Sequence, residues 1–290
     1  MQNDKLKNHL HLHFLVLIAG FTAVLGELIS IDAIPLVWFR MSIAGVLMLL
    51  FIKFKKRSLK VPSKAVVRFS IAGVIIALHW ITFFAAIKAS NISITLAMFS
   101  TGAFFASLIE PFFFKRKIIG YEIIFGIIVI IGVILITQSE LHYLLGIVLG
   151  ISSALFATLF AVLNGQFVQN YKASVISFYE FVSGVLFISI FIALTKQGFN
   201  SSYFQLTISD WTYLIILASI CTAYAFIASI HVMKHISPYT LVLTYNLEPI
   251  YGILLAVVIF PQKETMQPIF YLGASLIIAT VLLNAVFKNI

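Results

Sequence analysis

Long apolar runs fill this sequence and restrict the folds open to it. Crossing the hydrocarbon core of a bilayer takes about 20 helical residues. With 61% hydrophobic and 10% charged residues, the chain has too little polar surface to cover a soluble globule. The runs are continuous rather than alternating in steps of two, so they predict helices and not barrel strands. We expect an all-α membrane protein with ten spans, over residues 11–30, 33–54, 66–88, 92–114, 118–138, 142–165, 174–196, 210–233, 237–260 and 267–288.

The basic residues lie mostly in loops on one side of this ten-span arrangement. The formal net charge is +9. Lys53, Arg57 and Arg68 belong to one basic loop, and Lys115 to Lys117 occupy another. The positive-inside rule then places both termini in the cytoplasm, with the protein multi-pass in the cytoplasmic (inner or plasma) membrane. The charge therefore reflects topology and contact with lipid, and it predicts no nucleic-acid partner.

Two segments of the sequence look alike at an offset of about 146 or 147 residues. We divide the chain into two repeats, 1–139 and 140–290, of five spans each. Because five is odd, the second repeat enters the membrane from the opposite side, which predicts an inverted repeat. Secondary transporters use this architecture, with a site near the midplane between the halves. The matching residues are Lys88 with Lys234, Thr95-Leu96 with Thr240-Leu241, and Gly126 with Gly273.

Three stretches carry a family resemblance: Trp38-Phe39-Arg40-Met41, Lys88 to Thr95, and Leu247-Glu248-Pro249-Ile250-Tyr251-Gly252. On these stretches the chain resembles the EamA type of the drug/metabolite transporter superfamily. The resemblance extends over almost the whole chain. The resemblance implies ten helices in two inverted halves, and a carrier, commonly an exporter, of metabolites or amino-acid-like compounds. The chain departs from the family at a turn that often contains Gly-Glu. Here Pro261-Gln262 stands at that turn, and Glu264 lies two residues on.

Glu248 is an acid near the middle of the apolar run 237–260. A central ionised residue costs roughly +2.5 to +3.5 kcal/mol on insertion scales, so chains that keep one usually use it. Pro249 lacks an N–H and frees the Tyr245 carbonyl, which with the Asn246 amide and Glu248 would form a polar node. We interpret the node as a substrate or proton site. The alternative is a structural carboxyl that maintains a proline kink.

His79 and Trp80 lie near the middle of the third predicted span, at about the level of Tyr224 in the eighth. All three are candidates for substrate binding, with Trp80 stacking on an organic substrate and His79 exchanging a proton. The alternative is a tryptophan that fills core volume beside a neutral histidine bonded to another helix.

Arg40 and Glu180 lie about two turns inside the second and seventh predicted spans. Their depths differ, so we do not expect them to pair with each other, and each is a candidate gating residue. The small face of Gly146 and Gly150 leaves a homodimer open, beside packing within the bundle.

No catalytic motif or paired acids at active-site spacing is found, so we expect no enzyme and no cofactor. His9, His11 and His13 mark the start of the first span rather than a metal site. The sequence therefore predicts a transporter, an exporter by resemblance, of a small organic metabolite or amino-acid-like compound. Its partners would be that substrate, the lipid bilayer and protons, which a buried carboxylate would bind and release. The alternative is a channel-like or scramblase-type protein without coupled transport.

Overall fold

The computed structural model describes residues 2–115, 117, 119–195, 198–232, 244–245 and 247–287. Throughout this part of the chain the regular structure is helical. The predicted all-α class is therefore confirmed. Eight segments are long and apolar enough to cross a membrane, and each overlaps one of the first eight predicted spans.

Twelve α-helices follow one another in the described residues, and short 3₁₀ turns at Leu141–Tyr143 and Ser201–Phe204 precede two of them. We number them α1 Gln2–Leu28, α2 Ala33–Phe54, α3 Ser63–Ala89, α4 Ile92–Phe99, α5 Gly102–Phe114, α6 Gly120–Ser139, α7 Leu144–Phe167, α8 Ala173–Leu194, α9 Ile208–Ala218, α10 Ala225–Val232, α11 Glu248–Ile259 and α12 Pro268–Phe287. A π-helical segment, Ser219–Tyr224, joins α9 to α10.

Two of the predicted spans contain a break in the helix. The run 92–114 is divided between α4 and α5 at Ser100 and Thr101. In the run 237–260, helix α11 begins only at Glu248, with Pro249 in its first turn, where its missing N–H does least harm. The break predicted beside Pro249 thus lies at the start of α11, and residues 237–243 lie outside the described residues. Thr101 and Gly102 are the positions that match Glu248 under the repeat offset.

The helices pack in a pattern that recurs between the two predicted halves. Helix α1 packs on α11, and α7 packs on α4 and α5. Helix α2 packs on α8, and α6 packs on α12. Glycines permit the closest approaches, since a Cβ at Gly20 would meet Gly252 N at 2.9 Å and one at Gly132 would meet Gly273 O at 2.9 Å. Backbone contact of this kind is typical of helices that associate within membranes.

Candidate functional site

Arg40 of α2 is a buried charge in the interior of the bundle, with 3% of its surface exposed. Its guanidinium carbon lies 3.9 Å from the centre of the Trp80 ring and 5.5 Å from that of Phe84, both on α3. Stacking of this kind is favourable for arginine and is stronger where water is excluded. The side chain is therefore held inside the protein and does not extend to the membrane surface.

The π-helical segment supplies a polar partner for Arg40. The Arg40 Nε–H donates to Thr222 Oγ1 at 2.8 Å, and that hydroxyl donates to the Leu217 carbonyl at 2.7 Å. Single-turn π segments inside α-helices occur frequently at functional sites. Here the extra residue of the turn brings the Thr222 hydroxyl to the arginine.

Glu248 occupies the first turn of α11, where the helix dipole favours a negative charge. Its carboxyl interacts electrostatically with Arg40. The predicted node is only partly described: the Tyr245 hydroxyl pairs with Ser229 Oγ at 2.7 Å, and Asn246 lies outside the described residues. An arginine of the predicted first half and an acid of the second thus lie within electrostatic range of each other, and no ion pair or hydrogen bond joins them among the described contacts.

Trp80 is buried, and several aromatic contacts fix its ring. Phe181 of α8 lies 5.9 Å from it between ring centroids, and Phe226 of α10 lies at 6.0 Å. The Arg40 guanidinium lies over the ring itself. In this conformation Trp80 supports the arginine, and stacking on a substrate stays a prediction.

His79 points from α3 towards α7, although it is adjacent to Trp80 in sequence. Its Nδ1 lies 2.8 Å from Ser153 Oγ and 3.1 Å from the Ser153 carbonyl oxygen. The ring also stacks on Phe99, at the end of α4, with 5.4 Å between centroids. His79 thus lies beside the break between α4 and α5, bonded to a neighbouring helix.

Tyr224 lies at the end of the π segment and is 41% exposed. Its hydroxyl is 2.8 Å from His11 Nε2 on α1. The described contacts therefore join Tyr224 to α1 and do not bring it to Trp80 or His79, and its predicted role in substrate binding stays a prediction.

Glu180 of α8 is fully buried and accepts one hydrogen bond, from Asn164 Nδ2 at 2.7 Å. Its second carboxyl oxygen has no partner among the described residues. No hydrogen bond or ion pair joins Glu180 to Arg40 among the described contacts. The two residues are thus held by different partners, and a gating role for each stays a prediction.

A polar network links helices at one end of the bundle. We call it the end network and define it by Glu27, Ser30, Asp210, Lys263 and Glu264. Asp210 accepts from the Ser30 N–H at 2.7 Å and from its hydroxyl at 2.8 Å. Lys263 donates to Glu27 at 2.6 Å, and this hydrogen bond raises the pKa of Lys263. Each contact joins the predicted first half to the second.

Glu264 is the member of the end network that binds backbone. Its two carboxyl oxygens accept from the N–H groups of Ile92 at 3.1 Å and Ser93 at 2.9 Å, at the start of α4. These N–H groups have no partner within the helix, so the acid caps a helix of the other half. The sequence analysis noticed Glu264 but could not assign this contact.

Replacing Glu264 with Gln should loosen the end network. The glutamine amide has one acceptor oxygen, whereas the two backbone N–H groups each bond to their own carboxyl oxygen in the wild type. Each charged hydrogen bond that is lost costs about 1.5–3 kcal/mol. In a Cys221→Ala, Ser93→Cys background, we expect maleimide labelling of the purified protein at residue 93 to rise about fivefold or more. The exposed Asp32→Asn at the same end is the control and should change nothing. Equal labelling in both variants would mean that Glu264 does not hold this end closed.

Helices of membrane-spanning length around a buried arginine with aromatic and hydroxyl partners define a multi-pass membrane protein with an internal polar site. Within that class the chain belongs to the EamA-like transporter family, whose sequence profile matches residues 9–138 and, a second time, 144–286. The family resemblance inferred from the sequence is thereby confirmed. The family consists of transporters, so membership agrees with the expectation of transport rather than catalysis.

A solved crystal structure of another protein shares this fold. It aligns with 98% of this chain and 99% of its own, with a TM-score of 0.68 and 14% sequence identity. At that identity the likeness concerns the fold alone. No curated protein matches the sequence.

Proposed function

We propose that the protein is a secondary transporter of a small organic metabolite or amino-acid-like compound, working by alternating access. One observation carries the proposal: Arg40, stacked on Trp80 in the first half, bonds to Thr222 of the second half inside the bundle, within electrostatic range of Glu248. In carriers with inverted repeats the site lies at such an interface, beside discontinuous helices. The helix breaks at Ser100–Thr101 and before Glu248 are discontinuities of this kind.

We further propose ten spans in two inverted halves, 1–139 and 140–290. The recurring contacts of α1 with α11 and of α7 with α4 and α5 support this division. The basic loops support cytoplasmic termini in the cytoplasmic membrane. With that topology the end network lies outside, and this conformer is closed on the outer side. Export follows from the family resemblance, while proton coupling would act through Glu248. Gly146 packs on Ser90 and Gly150 on Met98 within the bundle, so this small face serves internal packing and not the homodimer considered from the sequence.

Counterflow in proteoliposomes tests the proposal against its alternatives. Vesicles loaded with unlabelled metabolite should take up the same labelled compound faster than empty vesicles, because a loaded carrier returns faster than an empty one. A channel would give current without this acceleration. A scramblase would move labelled lipid without solute flux. Either result would contradict the carrier.

A further inference from the structure

A groove of about 210 Å³ lies between α5 and α6 on the lipid-facing surface of the bundle. Most of its wall is apolar: Leu108 of α5 and Ile123, Ile127 and Ile130 of α6 line it, and each is about half exposed. The groove follows α6 from Glu122 to Ile130, which is about 12 Å along the helix axis. Its direction and apolar wall suit an acyl chain of the surrounding bilayer.

At one end the groove adjoins a small polar recess between α5, α6 and α12, and Ser107 and Glu122 line both. The recess has a volume of about 10 Å³, close to the space that one water molecule needs. Thr280 and Asn284 of α12 complete its polar wall. The Asn284 Oδ1 is buried and has no hydrogen-bond partner among the described residues. Such an acceptor is costly to leave unpaired, so the recess requires a donor.

The hydroxyl groups of the recess do not supply that donor. Ser107 Oγ donates to the Phe104 carbonyl at 2.7 Å, and Thr280 Oγ1 donates to the Leu276 carbonyl at 2.7 Å. A hydroxyl has a single hydrogen, so these two groups offer a ligand their oxygen lone pairs. The buried Glu122 carboxyl adds acceptor oxygens and a negative charge. The recess therefore fits a small cation that carries several N–H donors.

We propose that the groove binds phosphatidylethanolamine, with the lipid's primary ammonium group in the recess at Glu122 and an acyl chain along α6. A primary ammonium has three N–H donors and no acceptor, which complements a recess lined by oxygens. Glu122 lies in the first turn of α6, at the level where lipid head groups lie. The lipid phosphate then lies beside the turn between α5 and α6, where Lys115 and Lys117 are exposed cations.

Other phospholipids fit the recess less well. The quaternary ammonium of phosphatidylcholine has no N–H, and sites built to bond a donor reject analogues that lack it. The head group of phosphatidylglycerol is an anion, which the Glu122 carboxylate repels. Phosphatidylethanolamine matches both the acid in the recess and the basic turn beside it.

The test is lipid binding to the full-length protein, purified in detergent and titrated with dioleoyl phosphatidylethanolamine or dioleoyl phosphatidylcholine. The two lipids differ only in the methyl groups on nitrogen. Native mass spectrometry measures the bound lipid, and we expect the wild type to bind the ethanolamine lipid about tenfold more tightly. In Glu122→Gln this preference should fall to about twofold or less, because an amide has no charge. Glutamine can still accept from the Ile119 N–H, as Glu122 does at 3.3 Å, so the start of α6 is retained.

Ile123→Trp and Ile124→Trp are a matched pair that tests the groove itself. The two residues are 58% and 59% exposed, and of the two it is Ile123 that lines the groove. A tryptophan at 123 should fill the groove and weaken the binding of both lipids about fivefold or more, whereas one at 124 should leave it unchanged.

Gel filtration and thermal unfolding identify variants that fail to fold, and Asn284→Leu serves if Glu122→Gln does so. It removes the unpaired acceptor and should lower the preference about threefold or more. Equal binding of the two lipids by the wild type would overturn the proposal, as would an unchanged preference in either folded variant or equal effects of the two tryptophans. Tightest binding of phosphatidylglycerol would overturn it in favour of the basic turn alone, and a protein dimer that excludes lipid would overturn it in favour of a second copy of the chain. Transport is not measured, so each of these outcomes leaves the proposed carrier function intact.

Discussion

Glu248→Gln is expected to reduce transport by about 100-fold while leaving the protein folded. Glutamine has nearly the shape of glutamate, but it can neither carry the charge that faces Arg40 nor release a proton. A charged contact to the substrate or to a transported proton is worth about 1.5–3 kcal/mol, so its loss slows transport by up to about 100-fold. Initial rates in proteoliposomes across pH measure the effect: the wild-type rate should depend on pH and the residual rate of the variant should not.

Glu110→Gln is the matched control for this substitution, because Glu110 also precedes a proline. Glu110 lies towards the end of α5, next to a basic turn, and we place it outside the transport site. Its variant should transport at close to the wild-type rate. If Glu248→Gln also transported at the full rate with unchanged pH dependence, Glu248 would be a structural acid.

Gly73→Ala is expected to destabilise the fold more than any other change proposed. Helix α3 approaches α8 so closely that a Cβ at Gly73 would lie 2.3 Å from the Glu180 carbonyl oxygen and 2.9 Å from its Cα. Backbone atoms cannot turn aside as a side chain can, so the helices must separate. Overpacking of this kind costs about 3 kcal/mol, and the thermal midpoint in detergent should fall by about 5 °C or more.

Gly120→Ala provides the reference for that measurement. A Cβ at Gly120, the first residue of α6, would meet nothing within 4 Å. Alanine is also the better helix former, so this variant should be as stable as the wild type or slightly more stable. Equal midpoints for the two variants would show that α3 and α8 can separate at little cost.

The membrane class and the positions of the first eight spans were predictable because they depend on local composition alone. A run of about 20 apolar residues has few stable structures other than a helix that crosses the membrane. The proline beside Glu248 also signalled a break, although it marks the start of α11 and not a kink within one helix. The break at Ser100 and Thr101 has no proline beside it, and its match to Glu248 under the repeat was its single signal.

The partners of the polar residues were not predictable, because they depend on how distant helices pack. Nothing local to Arg40 indicates that Trp80 covers it or that Thr222 accepts its hydrogen bond. The π segment that presents Thr222 has an ordinary apolar sequence, SICTAY. Adjacent residues can also diverge, since His79 bonds to α7 while Trp80 packs against α8 and α10. Asn164 went unnoticed, though an amide within an apolar span was a visible signal.

A double-mutant cycle between Arg40 and Glu248 tests the central claim that one substrate site is shared by the two halves. The affinity of the counterflow substrate is measured for the wild type, Arg40→Gln, Glu248→Gln and the double variant. Residues that bind one ligand together should be coupled by about 1 kcal/mol or more, so the double variant should lose less affinity than the sum of the single losses. Losses that add to within about 0.3 kcal/mol would mean that Arg40 and Glu248 act independently, and that the two halves do not share this site.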